Sequence, residues 1–175
     1  MSVAVEKVRC ATCGQEHDLL TVEPNYAWPD AYLAIPKKQR KYLTSFGKDD
    51  GRIRNADDTE RRHFLRVLLS VPINGESVDV AWGVWVEVSA ADWERAYERW
   101  DDPNQAGEPP FPGRLANALR GYEGTLGLPG HVRLTGPTMA PVFELDPDVE
   151  HPLAREQRGG VARERVVEWV TAHHH

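Results

Sequence analysis

The sequence predicts an α+β fold: a mainly antiparallel sheet of about five or six strands, helices packed on one face, and an N-terminal Cys-x-x-Cys knuckle. Three observations predict it. Two β-rich runs between residues 63 and 88 flank Asn74-Gly75, a dipeptide suited to tight hairpin turns because both residues tolerate positive φ. An apolar stripe at helical spacing follows Ser89. Past residue 101, short apolar runs alternate with Gly and Pro, and the chain closes on an amphipathic stretch.

The 63–88 segment carries most of the argument. A two-residue turn at Asn74-Gly75 makes facing residues sum to 149, so Val71 meets Val78, Leu69 meets Val80, Val67 meets Trp82, Leu65 meets Val84 and His63 meets Val86. The first four pairs put aliphatic and indole groups on one face, whereas Phe64, Arg66, Leu68 and Ser70 meet Trp85, Gly83, Ala81 and Asp79 on the other. A one-residue slip would destroy this segregation; a longer loop of the same parity would keep it.

The remaining elements follow in chain order. Residues 3–9 alternate as a short strand, 19–35 are aromatic and irregular, and Pro36 opens a short helix to about Leu43. A short strand is expected near Ile53. Ser89 caps a helix with Asp92 three residues on, and Trp93, Ala96, Tyr97 and Trp100 form its inward stripe. Four prolines between residues 101 and 113 forbid helix and central strand there, which makes the segment a loop. Leu115–Leu119 re-enters the sheet, and Val132–Leu134 and Val142–Leu145 are strands joined by a Gly136-Pro137 turn. His151-Pro152 opens a helix that Gly159-Gly160 interrupts, and a last helix turns Val166, Trp169 and Val170 inward.

These elements form one expected domain over residues 1–172. Within it, 1–22 hold the strand and knuckle, 23–62 are irregular with a short helix, 63–149 form the sheet with its helix at 90–100, and 150–172 are helical. His173, His174 and His175 have the composition of an affinity tag and are kept out of every candidate site. A net charge of −6 argues against general nucleic-acid binding, and the basic group Lys37, Lys38, Arg40 and Lys41 reads as a solvated helix face. The sequence holds no long apolar run to span a membrane and only two cysteines, so a reducing, cytoplasmic setting is expected.

Chemistry concentrates in two places. Cys10, Cys13 and His17 are candidate metal ligands, with zinc the candidate ion. Two thiolates two residues apart can grip a tetrahedral cation, and Gly14 lets backbone N–H groups turn toward the sulfurs. A metal-free buried turn and a redox pair are the competing readings. A fourth ligand would come from His63, His131 or His151, or be water; an open position beside Glu16 would suit hydrolysis, a closed one a structural role. The second place is the helix start at His151, where His151, Arg155, Glu156 and Gln157 could form an anion or carboxylate pocket, or simply cap a surface helix. Trp85, beside Phe64, is a candidate ligand-binding platform unless a loop such as 19–35 or 101–113 covers it. No Gly-x-Ser-x-Gly, phosphate loop, dinucleotide fingerprint or His-Glu-x-x-His occurs.

Several segments together are similar to a known family. Cys-x-x-Cys-Gly-x-x-His at 10–17, Trp82-Gly83-Val84-Trp85-Val86, Glu108-Pro109-Pro110 and His151-Pro152-Leu153-Ala154-x-Glu156-Gln157 resemble the bacterial family catalogued as domain of unknown function 2199. The resemblance implies a small bacterial protein and carries over no catalytic residue. The function expected from the residues is a non-catalytic binding or regulatory module with a structural zinc knuckle, a protein being one candidate partner. The alternatives are a small metal-dependent hydrolase at Cys10, Cys13 and His17, and an immunity or antitoxin-type protein that blocks a partner enzyme.

Overall fold

A computed structural model of the chain describes residues 7–9, 14–18 and 24–171. Strands β1 (Lys7–Arg9) and β2 (Glu16–Asp18) pair antiparallel, with Val8 opposite His17. Helices α1 (Asp30–Leu33) and α2 (Lys37–Leu43) lead into β3 (Thr44–Phe46), β4 (Asp50–Arg54), β5 (Arg61–Pro72) and β6 (Asp79–Val88). Helix α3 (Ala90–Arg99), a 3-10 turn at Gln105–Gly107, β7 (Phe111–Leu115), β8 (Pro129–Arg133) and β9 (Val142–Leu145) follow, and α4 (Pro152–Gly159) and α5 (Arg163–Thr171) end the described chain.

The α+β class and the mostly antiparallel sheet match the sequence reading, but the sheet is not an open layer of five or six strands. It has seven strands in the order β3 to β9, and a parallel bridge from Leu68 of β5 to Val142 of β9 closes the last five into a barrel. The bridge joins residues 74 apart, beyond the reach of any local pattern. Helices also lie on both faces. Trp93, Ala96, Leu153, Ala154, Val166, Trp169 and Val170 from α3, α4 and α5 join one core with the inward residues of the barrel strands. Tyr26, Ala31 and Tyr32, around α1, cover the opposite face.

The hairpin keeps its predicted facing but not its register. Facing residues of β5 and β6 sum to 151: Val71 meets Val80, Leu69 meets Trp82, Val67 meets Val84, Leu65 meets Val86 and His63 meets Val88. The cause is the turn. Glu76 N–H donates to Ile73 O at 3.0 Å and Gly75 has φ +82°, but Asn74 is not at positive φ. A type I′ turn needs positive φ at both central residues to match strand twist, so strands do not close directly onto this one. Instead Val161 N–H donates to Pro72 O at 2.9 Å and Asn74 N–H to Val161 O at 2.8 Å, which ties the loop to the α4–α5 junction. A two-residue shift preserves side-chain parity, so the inner face survives intact: Val67, Leu69, Trp82 and Val84 are all fully buried.

Local caps behave as expected. Ser89 Oγ accepts from Asp92 N–H at 3.1 Å and donates to the Asp92 carboxylate at 2.8 Å. Trp93 and Ala96 point inward from α3, but Tyr97 is 63% exposed, so the expected stripe is narrower than its spacing implies. Pro36 is the N-cap of α2 rather than its first helical residue. The expectation that residues 101–113 contain no central strand fails at Phe111, where β7 begins between β6 and β8. Pro112 is tolerated because the ladder to β6 reaches only Leu115 and Arg114, so no neighbour asks for its missing N–H on that side. Of Leu115–Leu119, only Leu115 lies in a strand. Among the described residues no helix is long and apolar enough to cross a membrane.

Candidate functional site

Even-numbered residues of β5 turn their backbone groups away from β6. Arg66 N–H donates to Asp49 O at 2.8 Å, Leu68 N–H to Pro141 O at 2.8 Å, and Pro72 O accepts from Val161. Ser70 lies midway between the last two contacts and so presents its backbone to the same side. Past the Leu68–Val142 bridge, β5 and β9 part, and α4 packs into the gap.

Gln157 of α4 completes the exposed edge of β9. Its amide nitrogen donates to Phe143 O at 2.9 Å and its amide oxygen accepts from Leu145 N–H at 2.8 Å. A primary amide carries one donor side and one acceptor side, so this single side chain stands in for a peptide unit of the missing neighbouring strand. The cleft outside this plug has a volume of about 560 Å³, with Ser70, Asp79, Arg133, Glu144, Gln157 and Arg158 among its polar walls. Arg133 and Glu144 form an exposed ion pair at 3.4 Å. Arg158 donates to Asp146 O and Val149 O, each at 3.3 Å, which holds its guanidinium at the rim.

The predicted helix-start residues do not converge on one pocket. His151 caps α4: its Nδ1 accepts from Leu153 N–H at 3.1 Å, which leaves Nε2 to donate to Glu123 O at 2.7 Å. Glu156 turns to another side, where it accepts from the Tyr122 hydroxyl and from Arg165 Nε at 3.4 Å. The Arg165 guanidinium also lies over the Tyr122 and Trp169 rings, at 5.3 and 5.5 Å. Burial first, and then the Glu156 carboxylate, push the Tyr122 hydroxyl far above its ordinary pKa, so it stays a hydrogen-bond donor. Arg155 is exposed and does not line the cleft. Only Gln157 among these residues does. The anion pocket expected from His151, Arg155, Glu156 and Gln157 together is therefore replaced by a seam cleft that one of them plugs.

Trp85 is no exposed platform. It is 1% exposed, its Nε1 donates to Tyr26 O at 3.1 Å, and Phe46 packs edge-on at 5.4 Å. The cover is supplied by part of the aromatic 19–35 segment together with β3, the covered alternative at this position. Cys10 and Cys13 lie outside the described residues. His17 sits half-buried on β2, and among the described residues no group of three or more His, Cys, Asp or Glu stands placed to hold a metal ion. Of the other histidines considered as ligands, His131 Nδ1 bonds Asp146 at 2.7 Å and His63 packs on the Trp93 ring at 5.6 Å.

Sequence reasoning missed Ser70, Arg133, Glu144 and Tyr122. Arg133 and Glu144 were legible as outward residues, because they alternate with buried Val132, Phe143 and Leu145. Nothing local marked them as neighbours of Ser70, because that proximity follows from barrel closure.

Fold and cleft together define a mostly antiparallel five-strand barrel, completed by helices, whose closing seam is only partly paired. The chain belongs to the bacterial family described as "Uncharacterized protein conserved in bacteria (DUF2199)", whose model matches residues 9–161. No curated protein and no solved structure shows significant similarity to it.

Proposed function

We propose that the chain is a non-catalytic binding module whose seam cleft takes an extended, carboxylate-bearing segment of a protein partner. The observation that carries this reading is the incomplete closure between β5 and β9. Strand backbone at Ser70 faces a cleft of about 560 Å³, and two guanidiniums, Arg133 and Arg158, stand at its walls. An extended peptide can pair with such an edge through its main chain while a side chain or terminus meets the cations. Glu144 already answers Arg133, so Arg158 is the cation assigned to the ligand.

The test is a peptide selection from a random display library, followed by amide-shift mapping on labelled protein. Selected peptides should shift the Ser70 and Leu145 amides, and Arg158→Ala should weaken them about tenfold, the effect of losing one charge-assisted hydrogen-bond partner. Peptides that map elsewhere, or that bind Arg158→Ala undiminished, defeat the reading.

The same proposal assigns Cys10, Cys13 and His17 to a structural zinc knuckle. The donor set and its Cys-x-x-Cys-Gly spacing fit zinc, and the β1–β2 pairing supports it, because Arg9 opposite Glu16 brings the two ends of the cysteine segment together. Metal analysis of untagged protein should find about one zinc per chain, lost in Cys13→Ser together with thermal stability. A metal-free wild type would leave the cysteines as an ordinary turn.

A further inference from the structure

A second hollow, independent of the seam cleft, opens beside Leu65 of β5, where the β4 pairing ends. Here α3 and the residues after it meet the β3–β4 connection around a cleft of about 300 Å³. Its aromatic walls are Trp93, Tyr97 and Trp100, and its acidic groups are Asp49, Asp50 and Asp101. Tyr97 stacks on Trp93 at 5.3 Å and 13°, and the Arg52 guanidinium lies over the Trp93 ring at 4.9 Å. These rings therefore already attract one cation of the chain itself, as the negative face of an indole does. The three carboxylates, by contrast, have no side-chain hydrogen bond or ion pair among the described residues, although Asp49 and Asp50 are half-buried. Burial holds the Asp50 carboxyl above the usual range, with the Arg52 guanidinium drawing it partly back and Asp49 adding to the rise.

The chemistry of these walls suits an organic cation better than a metal ion. No three acids among the described residues stand placed to chelate a metal, whereas rings beside carboxylates suit an ammonium or guanidinium on an apolar stem. The setting points further, to a polypeptide. Trp100, Asp49 and Lys48 are shared with an adjoining hollow of about 370 Å³, where Met139 is 64% exposed, so a chain flanking the cation has apolar surface to lie on. Trp, Tyr and Met are the residue types enriched where protein partners dock. Lys48 at the junction repels a second basic group and so favours one inserted cation. A net charge of −6 favours a basic partner at longer range. We infer that this aromatic, acid-lined cleft docks a lysine or arginine side chain of a basic protein partner, the rings holding the stem and the carboxylates the charged head.

The test uses labelled full-length chain titrated with the blocked peptide acetyl-Gly-Arg-Gly-Lys-Gly-amide, its neutral glutamine counterpart, and tetramethylammonium. The indole N–H resonances of Trp93 and Trp100 are followed. The basic peptide should move both indoles, the glutamine peptide neither, and raised salt should weaken the effect. Tyr97→Ala, and Asp49→Asn combined with Asp101→Asn, should each weaken the peptide about tenfold. Tyr97 and Asp101 are exposed, so these variants should keep the fold, which circular dichroism checks. Equal response to the neutral peptide, shifts confined to other tryptophans, or undiminished binding by the asparagine variant overturns the inference. So does tetramethylammonium binding more tightly than the peptide, which would make the occupant a small ammonium ion. Failure at the seam cleft would leave this result untouched, because the two sites share none of the residues tested.

Discussion

The two edges of β5 are built from the same twelve residues and behave in opposite ways. Toward β6, ten consecutive residues pair without a break, from His63 to Pro72. On the other edge, β4 takes the residues up to Leu65, the loop before β9 takes Leu68, and Val161 takes Pro72. The first edge is continuous because its partner follows directly in sequence and both strands share an apolar inner face. The second is assembled from three separate segments, β4 next to β5 in sequence and the other two remote, and both candidate binding clefts open where one segment hands over to the next. A sheet edge paired piecewise leaves backbone and charge for ligands that a continuous ladder would consume.

The largest break in this contrast comes from the continuous side. Trp82→Ala should remove a fully buried indole opposite Leu69 and cost about 3–5 kcal/mol in equilibrium urea unfolding. A cost under about 1 kcal/mol would mean that the hairpin is not the centre of the core.

On the piecewise side, Gln157→Ala should cost about 1–2 kcal/mol, because it strips a carbonyl and an N–H of β9 of their partners beside a cleft that water can enter. Hydrogen exchange should rise at Leu145 and stay unchanged at Leu69. If both change together, the seam is not an independent unit.

A pH-dependent effect sharpens the comparison at the end of the continuous ladder. Burial, then the Arg52 guanidinium and more weakly Arg61, hold His63 below its ordinary 6.5, against weaker pulls from Glu94 and Glu87. The folded state therefore prefers neutral imidazole. This contribution to stability is full above the unfolded value of 6.5 and is lost as pH falls from there through the depressed folded value. His63→Gln should flatten the stability profile across that window in pH-resolved denaturation, and an unchanged slope would refute the assignment.

The smallest effect is expected at the surface. Arg62 and Glu87 form two hydrogen bonds at 2.8 and 2.6 Å across β5 and β6, but Arg62 is exposed and Glu87 only half-buried. Arg62→Ala should cost under about 1 kcal/mol, and less at high salt.

Much of the molecule was legible locally. The cap at Ser89, the helix opened by His151-Pro152, the strands around Ile53, Val132 and Val142, and the buried stripe of Val166, Trp169 and Val170 rest on neighbours within a few residues. Errors arose where a distant segment competed. Val161 captured the loop after Pro72 and moved the hairpin register by two, and β3 with Tyr26 covered Trp85. Of the candidate site, Gln157 was visible as a polar helix residue, but its partners on β9 were not.

The sequence by itself determined which side chains of β5 and β6 face inward, because alternation admits one buried parity and a shift by two leaves it unchanged. Tertiary structure alone decided the closure at Leu68 and Val142, the plug at Gln157 and the two clefts. The closure joins segments more than seventy residues apart, the plug and clefts depend on where that closure leaves an unfilled edge, and no periodicity within any one segment records which partner will arrive.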